Sequence, residues 1–151
     1  MPLRYARLWS LALVFVSVAS LGIGSTPTQA QLYELRTYTT NDGKLDDLHA
    51  RFRDHTVGLF EKHGIKSLGY WVPTEDPQAK NTLIYVIEHQ SADAAKASWQ
   101  AFIADPEWKE VYKKSRENGP LLAKAPESVY MEVTDYTPKM GDVEASDDAV
   151  Y

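Results

Sequence analysis

The spacing of apolar residues changes several times along the chain, and each change marks an element. Leu32 to Thr39 is rich in strand-forming residues and stops at Asn41-Asp42-Gly43, a turn signal. From Lys44 to His63 the spacing turns helical: Leu45, Leu48, Phe52, Thr56, Leu59 and Phe60 fall at steps of three and four on one stripe, with Asp42 as a cap and Gly64 as a stop. Ile65 to Val72 reads as a second strand closed by Pro73. Asn81 to His89 reads as a third, and its unbroken Leu83-Ile84-Tyr85-Val86-Ile87 run implies burial on both faces. Ser91 caps a second helical region carrying Ala94, Ala95, Trp99, Phe102 and Ile103. Asp105-Pro106 interrupts it and opens a further helix, Glu107 to Asn118, ended by Gly119-Pro120. Ser128 to Tyr136 reads as the fourth strand.

The order is β-α-β-β-α-β, so the expected fold class is α+β: a ferredoxin-like plait with an antiparallel four-stranded sheet. Helices on one face leave the other face of the sheet bare. The third strand is apolar on both sides, and the fourth alternates Val129, Met131 and Val133 against Tyr130, Thr134 and Tyr136. A second copy of the chain is the simplest cover, because two-fold homodimers are the commonest oligomers. Two such sheets face to face form a dimeric α/β barrel.

The two ends read differently from the middle. Arg4 and Arg7 precede an uncharged, mostly apolar run from Leu8 to Ile23; Thr28-Gln29-Ala30 then sets small residues before Gln31. Residues 1–30 are therefore expected to be a signal peptide cut between Ala30 and Gln31. The run is short for a membrane span and is broken by serines and a glycine. The expected localisation is periplasmic or secreted. Residues 31–138 form the domain, and 139–151, with Asp142, Glu144, Asp147 and Asp148, an acidic disordered tail. The 151 residues carry a net charge of −5, and both cations of the first thirty leave with the signal. A domain this acidic argues against nucleic acid, and against a membrane surface once the signal is gone. The absence of cysteine excludes disulfides, thiolate metal sites and a cysteine nucleophile.

Several separated motifs stand in a telling order: Tyr33-Glu34-Leu35-Arg36-Thr37-Tyr38; Phe52-Arg53-Asp54-His55-Thr56 through Leu59-Phe60-Glu61-Lys62-His63-Gly64; Leu68-Gly69-Tyr70-Trp71; Trp99-x-x-Phe102; and Asp105-Pro106-Glu107-Trp108. Together they resemble the NIPSNAP family of the dimeric α/β-barrel superfamily, over about Leu32 to Pro138. The resemblance implies the ferredoxin-like fold, a dimeric barrel, and homologues often without an assigned reaction. Superfamily relatives include cofactor-independent monooxygenases, mutarotases and haem enzymes. Since fold does not fix function, none of these chemistries transfers on that ground alone.

Glu34, Arg36 and Tyr38 share one face of the first strand. If that face lines a lumen, Arg36 is a candidate to grip a substrate carboxylate; an internal Arg36–Glu34 or cross-dimer ion pair is the plainer expectation. His55, between Phe52 and Leu59, is expected on or beside the apolar stripe, as a satisfied core residue or as a general base. His55 and His63 are eight residues apart, about 12 Å along a helix, and no histidine pair has the spacing of a helical metal site, so no metal and no cofactor are expected. Tyr38, Trp71 and Tyr85, with Arg36, are the candidate ligand-binding residues, although Tyr70 and Trp71 point to opposite faces and only one is expected to face a lumen. The lysines, arginine and glutamates between Lys109 and Glu117 read as a solvated helix face. Three functional readings result. The first is an exported homodimeric barrel that binds a small apolar or aromatic ligand. The second is a cofactor-independent oxygenase or isomerase with His55 as base and Arg36 or Tyr38 holding an oxyanion. The third is a protein-interaction module with a packed barrel.

Overall fold

A computed structural model describes residues 31–138. The expected signal peptide, its cleavage site's upstream half and the acidic tail lie outside the described residues. Strands β1 (Leu32–Thr39), β2 (Lys66–Trp71), β3 (Thr82–His89) and β4 (Glu127–Met131) form one antiparallel sheet in the order β2-β3-β1-β4. Helices α1 (Leu45–Arg51), α2 (Val57–Lys62), α3 (Ala92–Ala104) and α4 (Pro106–Lys114) complete the β-α-β-β-α-β plait. The α+β ferredoxin-like reading therefore holds.

Register fixes what each face of the sheet carries. Across the four strands, Tyr70, Tyr85, Arg36 and Ser128 stand opposite one another on the helix-bearing face. The neighbouring row of that face is Ser67, Ile87, Glu34 and Tyr130. The core lies here: Tyr38, Leu83, Tyr85 and Ile87 meet Leu48, Phe52, Leu59, Phe60 and Phe102 from the helices. Phe52 makes edge contacts with Tyr38, Phe60, Tyr70 and Tyr85, with ring centres 5.3–6.2 Å apart. On the opposite face, Gly69, Val86, Leu35 and Val129 form an apolar row, and Val129 is 54% exposed.

Three details depart from the sequence reading. The run from Lys44 to His63 is not one regular helix: a π-helical turn, Phe52–Thr56, separates α1 from α2, and the Val57 N–H donates to Phe52 O. Such i→i−5 bonding winds less rotation into each residue. Thr56 is buried, where the stripe places it, and His55 beside it is exposed. The expected burial of His55 is not found. Next, β4 ends at Met131, not Tyr136, because Met131 pairs with Tyr33 and β1 begins only one residue earlier. Val133 and Tyr136 are exposed outside the sheet. Finally, α4 ends at Lys114; the chain turns before Gly119, whose φ of +97° suits only glycine well.

Candidate functional site

Glu34 is the centre of a buried polar network. It is 0% exposed, and its carboxylate accepts from Arg36 Nη1 at 2.6 Å, Ser128 Oγ at 2.6 Å, Trp99 Nε1 at 2.7 Å and His89 Nε2 at 3.0 Å. Burial pushes its pKa up, but the donors from His89, Ser128, Trp99 and Arg36 outweigh this and hold it down at about 2. The Arg36 guanidinium stacks over Trp99, 4.4 Å from the ring centre, and lies 5.6 Å from that of Tyr38. Its pKa is raised: burial works against the charge, while Tyr38, Tyr85 and Glu34 favour it. Tyr85, fully buried, donates to Tyr38 Oη at 3.1 Å, and burial raises its pKa well above the tyrosine norm.

Arg36, Tyr38 and Tyr85 are thus drawn together on the helix-bearing face, between sheet and helices, and Arg36 is paired within its own chain. His55 is elsewhere. It faces outward into a groove between α1 and α4 that also holds Asp54, Glu110 and Lys114. It shares no space with Arg36 or Tyr38, so the base and the oxyanion holders of the enzyme reading do not converge.

Trp71 lines a cleft of about 580 Å³ at the free edge of the sheet, with Phe52, Val57, Tyr70, Val72 and Leu83 as apolar walls and His49 and Arg53 beside them. Tyr70 and Trp71 both reach it. The cleft opens at the outer edge and end of β2, where side chains from either face arrive. Trp71 is 53% exposed, and its indole lies over Gly69: a Cβ there would stand 2.6 Å from the ring. Ser67 and Tyr70 hydrogen-bond through their hydroxyls at 2.6 Å, which fixes the tyrosine.

Residues that the sequence did not mark as site residues also matter. His89, Trp99 and Ser128 hold Glu34, from positions 55, 65 and 94 residues away; strand register brings in His89 and Ser128, and the packing of α3 on the sheet brings in Trp99. Arg51 is buried although charged; its one visible signal is a cation three residues after Leu48 and next to Phe52, on the apolar stripe. Asp105 accepts from Lys62 at 2.9 Å and from His63 at 2.6 Å, while its other oxygen caps α4 through the Glu107 and Trp108 N–H groups. Among the described residues, no group of three or more His, Cys, Asp or Glu is placed to hold a metal, and no helix is long and apolar enough to cross a membrane.

The family model described as NIPSNAP matches residues 33–134. Among solved structures, the chain is similar to an uncharacterized NIPSNAP-like domain protein from Burkholderia xenovorans, with 16% identity and a TM-score of 0.64 over 74% of this chain and 92% of that one. It is also similar to a NIPSNAP family protein with unknown function from Agrobacterium tumefaciens, with 22% identity and a TM-score of 0.62 over 73% and 94%. A monooxygenase from Streptomyces coelicolor, in complex with nanaomycin D, gives 18% identity and a TM-score of 0.49 over 72% and 92%. No curated protein matches the chain significantly.

Proposed function

The chain belongs to the NIPSNAP family, and from that premise we propose that it is an exported homodimeric domain that binds a small apolar or aromatic molecule in the cleft at the edge of β2. The observation that carries the reading is the cleft itself. Its volume of about 580 Å³ lies in the range of small-molecule sites, and its walls are Phe52, Val57, Tyr70, Trp71, Val72 and Leu83. Apolar walls with a few polar groups at the rim suit a neutral ring system better than a charged one. Support for the dimer comes from the apolar row of Val86, Leu35 and Val129 on the face without helices. Support for export comes from the n-region, apolar run and Thr28-Gln29-Ala30 of the sequence.

The binding reading is preferred to the enzyme reading because His55 stands apart from Arg36 and Tyr38, and catalysis requires a base and an oxyanion donor within reach of one point. The test is a titration with N-phenyl-1-naphthylamine, a neutral probe that fluoresces in apolar sites. The parent is expected to bind it. Trp71→Ala should weaken binding about tenfold, which is about 1.4 kcal/mol. Gly69→Ala, which pushes the indole aside without deleting it, should give a similar loss. A parent that leaves the probe dark, or variants that bind it as the parent does, would refute the cleft as the site.

A further inference from the structure

Arg51 differs from the other buried charges among the described residues. Glu34 and Arg36 answer each other, and Asp105 has Lys62 and His63. Arg51 is 6% exposed, yet among the described residues no carboxylate lies within 4.0 Å of it. Among the described residues its guanidinium makes one hydrogen bond, a long one from Nη1 to Ser115 Oγ at 3.4 Å, and its Nε has no partner. Its guanidinium lies 5.3 Å from the Trp108 ring centre and 6.0 Å from that of Tyr112. Burial lowers its pKa, with the nearby Arg116 adding to the effect. A buried cation without a counter-charge is costly, and a charge of this kind at the wall of a cavity is a candidate binding group.

The surroundings indicate what that partner is. Arg51 lines a cavity of about 330 Å³ between the helices and the loop before β4. Arg116 and Lys124 stand at the same cavity; Arg116 donates to Tyr112 Oη at 3.0 Å, and Lys124 pairs with Glu127. The remaining walls are Pro120, Leu121, Leu122, Ala125 and Pro126, and among the described residues no acidic side chain lines it. A guanidinium fork with free N–H groups suits a planar carboxylate, and the apolar wall suits a hydrocarbon body attached to it. The backbone supports the aim of the side chain: Arg51 immediately precedes the π turn, and Thr56 Oγ1 donates to Arg51 O at 3.2 Å, holding its backbone in place. π turns of this kind recur at functional sites.

We propose that this cavity binds a small organic carboxylate with an apolar body, gripped by Arg51 with Arg116 at its side. The site is distinct from the β2-edge cleft, and the two share no lining residue.

Calorimetric titration of the protein purified from its host tests this with three probes: 2-naphthoate, its neutral counterpart 2-naphthalenemethanol, and inorganic phosphate. In the Trp71→Ala protein, whose β2-edge cleft is weakened towards neutral rings, naphthoate is expected to bind at least tenfold more tightly than either of the others. Arg51→Met should reduce naphthoate binding at least tenfold while the denaturation midpoint holds or rises, because an unpaired buried charge has been removed. Trp71→Ala should leave naphthoate binding unchanged. Failure of the parent to bind naphthoate, or equal binding of the alcohol or of phosphate by the Trp71→Ala protein, would each overturn the proposal. Retained binding with a lowered midpoint in Arg51→Met would assign the residue to packing and overturn it as well. If Arg51→Met does not fold, Arg116→Gln at the exposed rim gives the decision: a several-fold loss at an unchanged midpoint supports the site, and unchanged binding removes it.

Discussion

Glu34 accepts four hydrogen bonds inside the protein, so its ionisation is part of the fold. Its pKa falls from 4.5 to about 2, which corresponds to stability on the order of 3 kcal/mol. A depressed carboxylate pKa stabilises the folded state above the unfolded value. The contribution is therefore complete above pH 4.5 and is lost as the pH falls towards 2. Urea melts from pH 7 to pH 2 should show this loss. Glu34→Gln should destabilise by about 3–5 kcal/mol at neutral pH, since Arg36 is left buried without its counter-charge, and should flatten the acid limb. A variant that melts like the parent would mean that the network contributes nothing. His55 gives the opposite expectation. Exposed on the outer side of the π turn, it should tolerate alanine within about 0.5 kcal/mol, measured in the same melts.

The elements were legible because apolar spacing is a local property. The strand runs and the helical stripe through Leu48, Phe52, Leu59 and Phe60 stand in the sequence as they stand in the molecule. The π turn was not legible, because the stripe through Phe52, Thr56 and Leu59 reads the same in a regular helix and only the backbone decides. Of the partners of Glu34, Arg36 was legible two residues away on the same strand face, while His89, Ser128 and Trp99 depend on how β3 and β4 register with β1 and how α3 packs on the sheet, which no local pattern encodes. The same backbone argument makes a prediction. Deleting Asp54 removes the surplus residue of the turn and should leave a continuous α-helix with Phe52, Thr56, Leu59 and Phe60 still inward. Helical circular dichroism should be kept and the midpoint should shift by no more than about 1 kcal/mol, within the usual range of tolerated changes; collapse of the fold would show that the turn is required. At the α2–α4 junction, Asp105→Ala should cost about 1 kcal/mol from the lost cap alone. Asp105→Asn, which retains an oxygen for the cap while losing the charge for Lys62 and His63, should recover part of that in thermal melts.

Across the whole molecule, the division of the sheet into two faces organises the account. One face is filled by aromatic and charged residues under the helices. The other carries a row of Val86, Leu35 and Val129 that a single chain leaves partly open. Val86 stands beside Leu35 in that row. Val86→Asp should abolish the proposed dimer or the fold, because a carboxylate there would be buried without a partner at a cost of several kcal/mol. Light scattering of the variant beside circular dichroism separates the two outcomes, and a folded dimeric Val86→Asp protein would place the interface elsewhere.

The proposed homodimer and its proposed small-molecule ligand meet in one experiment. Native mass spectrometry of material purified from its own host reads both properties in one spectrum. The expected result is a species at twice the mass of the chain beginning at Gln31, with an additional small-molecule mass that gentle activation removes. A spectrum of bare monomer, with no retained mass at any activation energy, would contradict it.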